Sequence, residues 1–256
     1  MSTPNEPTIS PSEQIRQRLI SLQNAGIEWL GESPPLPEAA TMNLFSELEE
    51  LPPPDDAEDR RHGLEVLAGP IRECTKCSEL ALSRTQTVFG VGPIDPDLCF
   101  IGEAPGADED RLGEPFVGAA GQMLNRIIMA CGMKREEVYI CNILKCRPPN
   151  NRTPKPDECS NCREFLERQI SLVRPKFICA LGLTAAANLL QSKSTLGKMR
   201  GKFHDFKGIP VLVTYHPASL LPTRNPLWKK DVWEDMKILL AKMGKPIPKG
   251  AAPKSE

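Results

Sequence analysis

The chain of 256 residues carries 32 Lys and Arg against 33 Asp and Glu, a formal net charge of −1, with 26 prolines and nine cysteines. That length admits one sizeable domain with extras or two small ones, and its most apolar stretch, FICALGLTAAANLL at 177–190, is too short and too mixed to span a bilayer. The near-zero charge hides an asymmetry: residues 1–60 hold nine prolines and 12 acids against three bases, a net −9, leaving 21 acids and 29 bases, about +8, on 61–256.

The opening MSTPNEPTISPSEQ has neither the basic nor the apolar segment of an export signal, so a cytoplasmic protein is expected. Nine cysteines in an unexported chain argue for metal ligation or buried thiols over a disulfide framework. Residues 1–60 read as an acidic, Pro-rich, largely disordered extension. Within it Ile15, Leu19 and Leu22 make one helical stripe, read either as a transient helix or as a docking helix for a partner. After LPPPDD at 51–56, AEDRRHGLEVLAGPIRECTKC begins a helix that runs to the first cysteine pair, Cys74 and Cys77. The basic remainder fits a polyanionic partner such as nucleic acid, or simple solubility.

Across 61–245 short apolar runs alternate with helical stretches. The runs LCFIG (98–102), VYICNI (138–143), FICALG (177–182) and PVLVTY (210–215) read as buried strands. Between them AAGQMLNRIIMACGM, ECSNCREFLERQISLVR and LTAAANLLQSK read as helices, the first closed by Gly132 and the second stopped by Pro175. Strands apolar on both faces and alternating with helices predict an α/β domain, three-layer α/β/α, with a four-stranded parallel central sheet. In such sheets ligands bind at the carboxyl ends of the strands. A disordered tail is expected over 246–256.

The first strand exits through Gly102 and Glu103 into GEAPGADEDRLGEPFVGAAGQ (102–122), dense in glycine but neither a Walker loop nor GxGxxG. Phe116 stands alone among polar and glycine neighbours, as a packing residue or a stacking platform. The second strand ends at Asn142 and the fourth at His216, and a planar amide with an imidazole could together read a base edge; taken singly, His216 also reads as structural. HPASLLPTRN then places Leu220, Leu221 and Arg224 in a turn, a satellite core or a wedge for a base stack with basic neighbours on phosphates. The thiols permit two groupings. Spacing alone favours a zinc site of Cys74/Cys77 with Cys159/Cys162; the rival replaces Cys159 by Cys146, which leaves a strand beside Pro148 and Pro149.

The motifs CTKC, VFGVGP, FIGEAPGADED, GEPFVGAAGQMLNRI, VYICNILKCRPPNNRTP and YHPASLL, in this order and over roughly 63–243, resemble the family-4 uracil-DNA glycosylases, the iron–sulfur branch of that superfamily. The resemblance implies a uracil-DNA glycosylase-like fold and a 4Fe-4S cluster on Cys74, Cys77, Cys146 and Cys162. It implies that Phe116 stacks on a flipped uracil, Asn142 bonds its N3/O4 edge, His216 meets O2, and Leu220 fills the vacated duplex. Ala104 stands where family-1 enzymes have an aspartate, so Glu103 is the candidate for positioning water, with bracing of the loop as the alternative. Glu109 and Gly102 would border the base, Glu109 near C5 where it excludes a thymine methyl, and Asn151 and Arg224 would contact DNA. Ala218 departs from the family's usual serine, which could bond a DNA phosphate. The implied function is hydrolysis of the uracil N-glycosidic bond in single- or double-stranded DNA by a monomer, with a repair partner for the N-terminal extension. Two rivals are a noncatalytic nucleic-acid-binding protein with structural zinc, and the same fold acting on a different base such as hypoxanthine.

Overall fold

A computed structural model describes residues 55–222 and 227–248. The acidic arm with its stripe at Ile15, Leu19 and Leu22, residue Arg224 and the tail from 249 lie outside the described residues.

Helix α1 spans Ala57–Glu73, the stretch read from the sequence as a helix running to the first cysteine pair. Its start is fixed by Asp56, whose side chain accepts the backbone N–H groups of Glu58 and Asp59, two of the four donors a helix start leaves unpaired. A short α2, Ser78–Ser83, follows with Cys77 as its N-cap. Strand β1 is Leu98–Gly102. The Gly-rich stretch after it holds α3, Ala107–Leu112, and α4, Ala119–Ala130. Then come β2, Tyr139–Asn142, α5, Pro156–Val173, and β3, Phe177–Leu181. Two short helices, α6 at Leu183–Leu189 and α7 at Leu196–Met199, lead to β4, Phe203–Phe206, and β5, Ile209–Thr214. Helix α8, Leu227–Lys242, closes the described chain.

The sheet runs in the order β2-β1-β3-β5-β4. The four runs read from the sequence pair in parallel, for example Phe100 with Ile140 and with Cys179, and Cys179 with Leu212. The expectation of four strands is corrected by β4, which pairs antiparallel with β5 through the Lys207–Gly208 turn. As an edge strand of sequence FHDF, buried fully only at Phe206, it lacks the continuous apolar run of a central strand.

Alternating side chains of the buried strands feed two cores. Cys99, Ile101, Ile178, Ala180, Val211 and Val213 pack beneath α5 and α6. Leu98, Phe100, Ile140, Cys179 and Leu212 pack against α4 and α8. Helix α1 lies along α5 and is pinned by buried Arg60, which pairs with Asp95 and donates to the Leu172 carbonyl at 3.2 Å. From β1 the chain moves to one side for β2 and then to the other for β3 and β5. The crevice at such a reversal lies beyond the carboxyl ends of the strands, here at Gly102, Asn142, Leu181 and Thr214.

Candidate active site

Beyond those strand ends lies an open cavity of about 310 Å³ whose wall includes Glu103, Glu109, Phe116, Asn142, Asn151 and His216. Residues predicted from three loops, as far as 113 positions apart in the chain at Glu103 and His216, are thus brought to one site.

Gly102 lies behind this wall. A Cβ there would sit 2.4 Å from both Asn142 Oδ1 and Phe116 Cζ, so only glycine lets the ring and the amide approach each other. Phe116 is 6% exposed and holds a left-handed backbone, φ 54°, an uncommon conformation for a bulky residue that needs support from its surroundings. Glu109 supplies it. One carboxylate oxygen accepts the N–H groups of Val117 and Gly118, each at 2.8 Å, and the other accepts that of Gly106 at 3.1 Å. Glu109 thus lines the cavity while its carboxylate braces the backbone of the loop.

Asn142 ends β2 at 2% exposure, and its Oδ1 is one of two buried side-chain polar atoms among the described residues with no hydrogen-bond partner. An unmatched buried acceptor is costly, and a ligand N–H in the cavity would satisfy it. His216 lies against the Phe116 ring, centroids 5.6 Å apart. Its Nδ1 accepts the N–H of Ala218 at 3.2 Å, which leaves Nε2 as the protonated nitrogen of the neutral ring. Burial pushes this imidazole down to about 4, against the pull of the Glu109 carboxylate. Glu103 is half-buried on the wall and, among the described residues, its carboxylate has no hydrogen-bond or ion-pair partner, while its carbonyl accepts from Leu144 N–H at 3.1 Å.

The expected DNA contacts fare differently. Leu220 is 3% exposed and packs with Leu124 and Val232 in the core, the packing alternative read from the sequence, because the 3₁₀ turn Pro217–Leu220 lies against α4 and α8. Leu221 is the half-buried neighbour. Asn151 is exposed, at φ 52°, and its Oδ1 accepts from Arg147 Nε at 2.8 Å. Arg152 also lines the cavity and escaped the sequence reading; its guanidinium is held by Glu158 at 2.6 and 2.9 Å and by Glu79 at 3.1 Å. Only its place in the RPPNNR loop could have pointed to it.

A second pocket, against α2 and the start of α5, is lined by Cys74, Cys77, Cys146 and Cys162. Arg84 Nη1 donates to Cys146 Sγ at 3.0 Å and Asn161 Nδ2 to Cys77 Sγ at 3.5 Å. Burial pushes the Cys162 thiol up to about 12, partly opposed by Lys145. Cys159, one turn back on α5, is 5% exposed and lines a different cavity with Ile143 and Leu166. The zinc grouping of Cys74/Cys77 with Cys159/Cys162 is therefore not assembled, and among the described residues no three His, Cys, Asp or Glu form a group that could hold a metal ion. The four pocket thiols surround a space rather than share one point.

Residues 89–237 match the family model of the uracil DNA glycosylase superfamily. The chain is similar to the type-4 uracil-DNA glycosylase of Thermotoga maritima, 42% identical over 69% of this chain and 93% of the relative. It is similar to that of Archaeoglobus fulgidus, 40% identical over 72% and 97%, and to that of Saccharolobus solfataricus, 43% identical over 72% and 88%.

Proposed function

The chain belongs to the type-4 uracil-DNA glycosylases of the uracil DNA glycosylase superfamily, and on that footing we propose that it flips uracil out of DNA and hydrolyses the bond between uracil N1 and deoxyribose C1′. Free uracil and an abasic site are the products. The observation that carries the assignment to this cavity is the unpaired Oδ1 of Asn142 beside the Phe116 ring and a neutral His216.

Uracil presents a carbonyl O4, an N3–H donor and a carbonyl O2 on one plane. The amide of Asn142 matches the first two, with Oδ1 accepting N3–H and the NH₂ group donating to O4. Cytosine reverses that pattern at both positions. The Phe116 ring stacks on the base, and the Nε2–H of His216 donates to O2. As the N1–C1′ bond breaks, its electron pair passes into the base and charge gathers on O2, so a donor already aimed there stabilises the transition state more than the ground state. A neutral imidazole suits this task. Glu103 is the carboxylate on the wall free to favour the cationic sugar or orient the water whose oxygen adds to C1′. Unstacking the base costs on the order of a few kcal/mol, within reach of these preorganised contacts.

The four pocket cysteines fit a 4Fe-4S cluster. Four thiols around one space, with N–H donors already on two of the sulfurs, are the ligands and sulfur hydrogen bonds that such clusters take. When bound, the cluster would supply a structural cross-link between the α1–α2 junction, the loop after β2 and α5. Asn151 and Arg224 are the DNA contacts in this reading, and the protein works as a monomer on single or double strands. The deciding experiment is release of free uracil from oligonucleotides with one uracil, single- and double-stranded. No release by cluster-loaded protein overturns the proposal.

A further inference from the structure

Lys145 is 1% exposed, among the largest fully buried side chains of the described residues. Its ammonium meets three acceptors: the Phe89 carbonyl at 3.1 Å, the Asn142 carbonyl at 3.1 Å and Gln169 Oε1 at 2.5 Å. An ammonium has three N–H bonds and no acceptor, so this set saturates it. Gln169, 0% exposed on α5, is itself fixed, donating to the Phe89 carbonyl and to the Tyr139 hydroxyl, each at 2.9 Å. The lysine backbone is tied as well: its carbonyl accepts Val88 N–H at 2.7 Å.

One of these ties reaches the site. β2 is an edge strand of the sheet, flanked on its outer side, among the described residues, by the isolated bridge between Val91 and Ile140. Asn142 is its last residue, in register with Gly102. Ile143 N–H bonds the Gly102 carbonyl at 2.9 Å on the inner side, and the Lys145 ammonium holds the Asn142 carbonyl on the other. The peptide that sets the direction of the Asn142 side chain is thus gripped from both sides.

We propose that Lys145 is a positioning residue for base reading: by holding the Asn142 carbonyl from the interior, its buried ammonium fixes the unpaired Asn142 amide in the cavity. This rests on the glycosylase reading above. Lys145 does not line the cavity, so its effect passes through Asn142. Loss of a merely structural lysine would lower stability and slow excision whatever residue stood at 142. Loss of a positioning lysine should be felt only while an amide stands there.

The test is a double-mutant cycle in the full-length, cluster-loaded protein, read as single-turnover uracil release at saturating enzyme, with DNA affinity and visible absorption measured beside it. Lys145→Met should slow release about tenfold or more, with DNA affinity changed less than about threefold and the absorption kept. In an Asn142→Ala background the same change should cost less than about twofold. Gln169→Leu, which removes one acceptor and keeps the lysine, should give a smaller loss with the same dependence on Asn142, and it serves if Lys145→Met does not fold. Additive losses in both backgrounds, or an unchanged rate in Lys145→Met, overturn the inference. Inactive wild type is read in the same experiment without any variant and overturns the functional reading instead.

Discussion

His216 Nδ1 accepts the backbone N–H of Ala218 at 3.2 Å, so a residue two positions on decides which imidazole nitrogen carries the proton. With burial holding the ring near 4 against its usual 6.5, the imidazole stays neutral through the physiological range. Uracil release should therefore show no acid limb near pH 6.5 from this residue, only one near 4. The unfolded chain takes up the proton first as pH falls, so this group's share of stability is full above 6.5 and is lost as pH falls toward 4. A rate profile from pH 4.5 to 8 checks it, and a limb centred at 6.5 that disappears in His216→Ala would contradict it. His216→Ala itself should slow release on the order of 10²-fold, the usual cost of one such donor.

Gly102→Ala tests how closely the base site is packed. The added methyl group would lie 2.4 Å from Asn142 Oδ1 and Phe116 Cζ, so one or both must move off the base plane. A drop of about 10²-fold in release is expected, with a folded protein of native circular dichroism. Full activity would mean that ring and amide need not stay together.

Glu109→Ala leaves the N–H groups of Gly106, Val117 and Gly118 without their acceptor. Each of these half-buried donors costs up to about 1–3 kcal/mol where water does not reach it, so the melting temperature should fall and excision slow as Phe116 loses its support. Thymine release from mismatched duplexes should stay absent. Its appearance in this variant would assign Glu109 a thymine-excluding role beyond bracing the loop.

Cys162→Ala should abolish the visible absorption of anaerobically purified protein, whereas Cys159→Ala should keep it and cost about 1 kcal/mol for a small void in the core. The opposite pattern would reverse the ligand assignment.

The parallel strands were legible because burial on both faces writes itself as unbroken apolar runs, as in LCFIG and FICAL. FHDF carries no such mark, since an edge strand keeps polar residues in contact with water. Helix α8 was missed for a related reason: LWKKDVWEDMKILLAK mixes lysines into its apolar positions and buries Asp235, which accepts from Thr214 at 2.7 Å and pairs with Arg200. Asn142, His216 and Phe116 could be found because strand ends and lone loop aromatics attract attention in an α/β pattern. Spacing could not decide between Cys146 and Cys159, since that depends on which way the first turns of α5 face. For Leu220 the sequence left core and wedge both open, since an apolar residue in a polar turn does not say which way the turn folds; here it folds inward. Lys145 had no signal, as a lysine beside a cysteine reads as solvated until its three acceptors are seen.

The pairing of the thiols has a dynamic consequence. Cys74 and Cys77 cap the facing ends of two helices, and the second of these, α2, is only six residues long with Leu80 as its one buried residue. Such a segment has almost no interior of its own and depends on the seam at Cys146 and Cys162 for its order. Residues 74–84 should therefore open as one cooperative unit, their amides exchanging with solvent together and well before those of the sheet. What holds the seam sets how often that unit opens, while the strands that carry Asn142 and His216 keep their own protection.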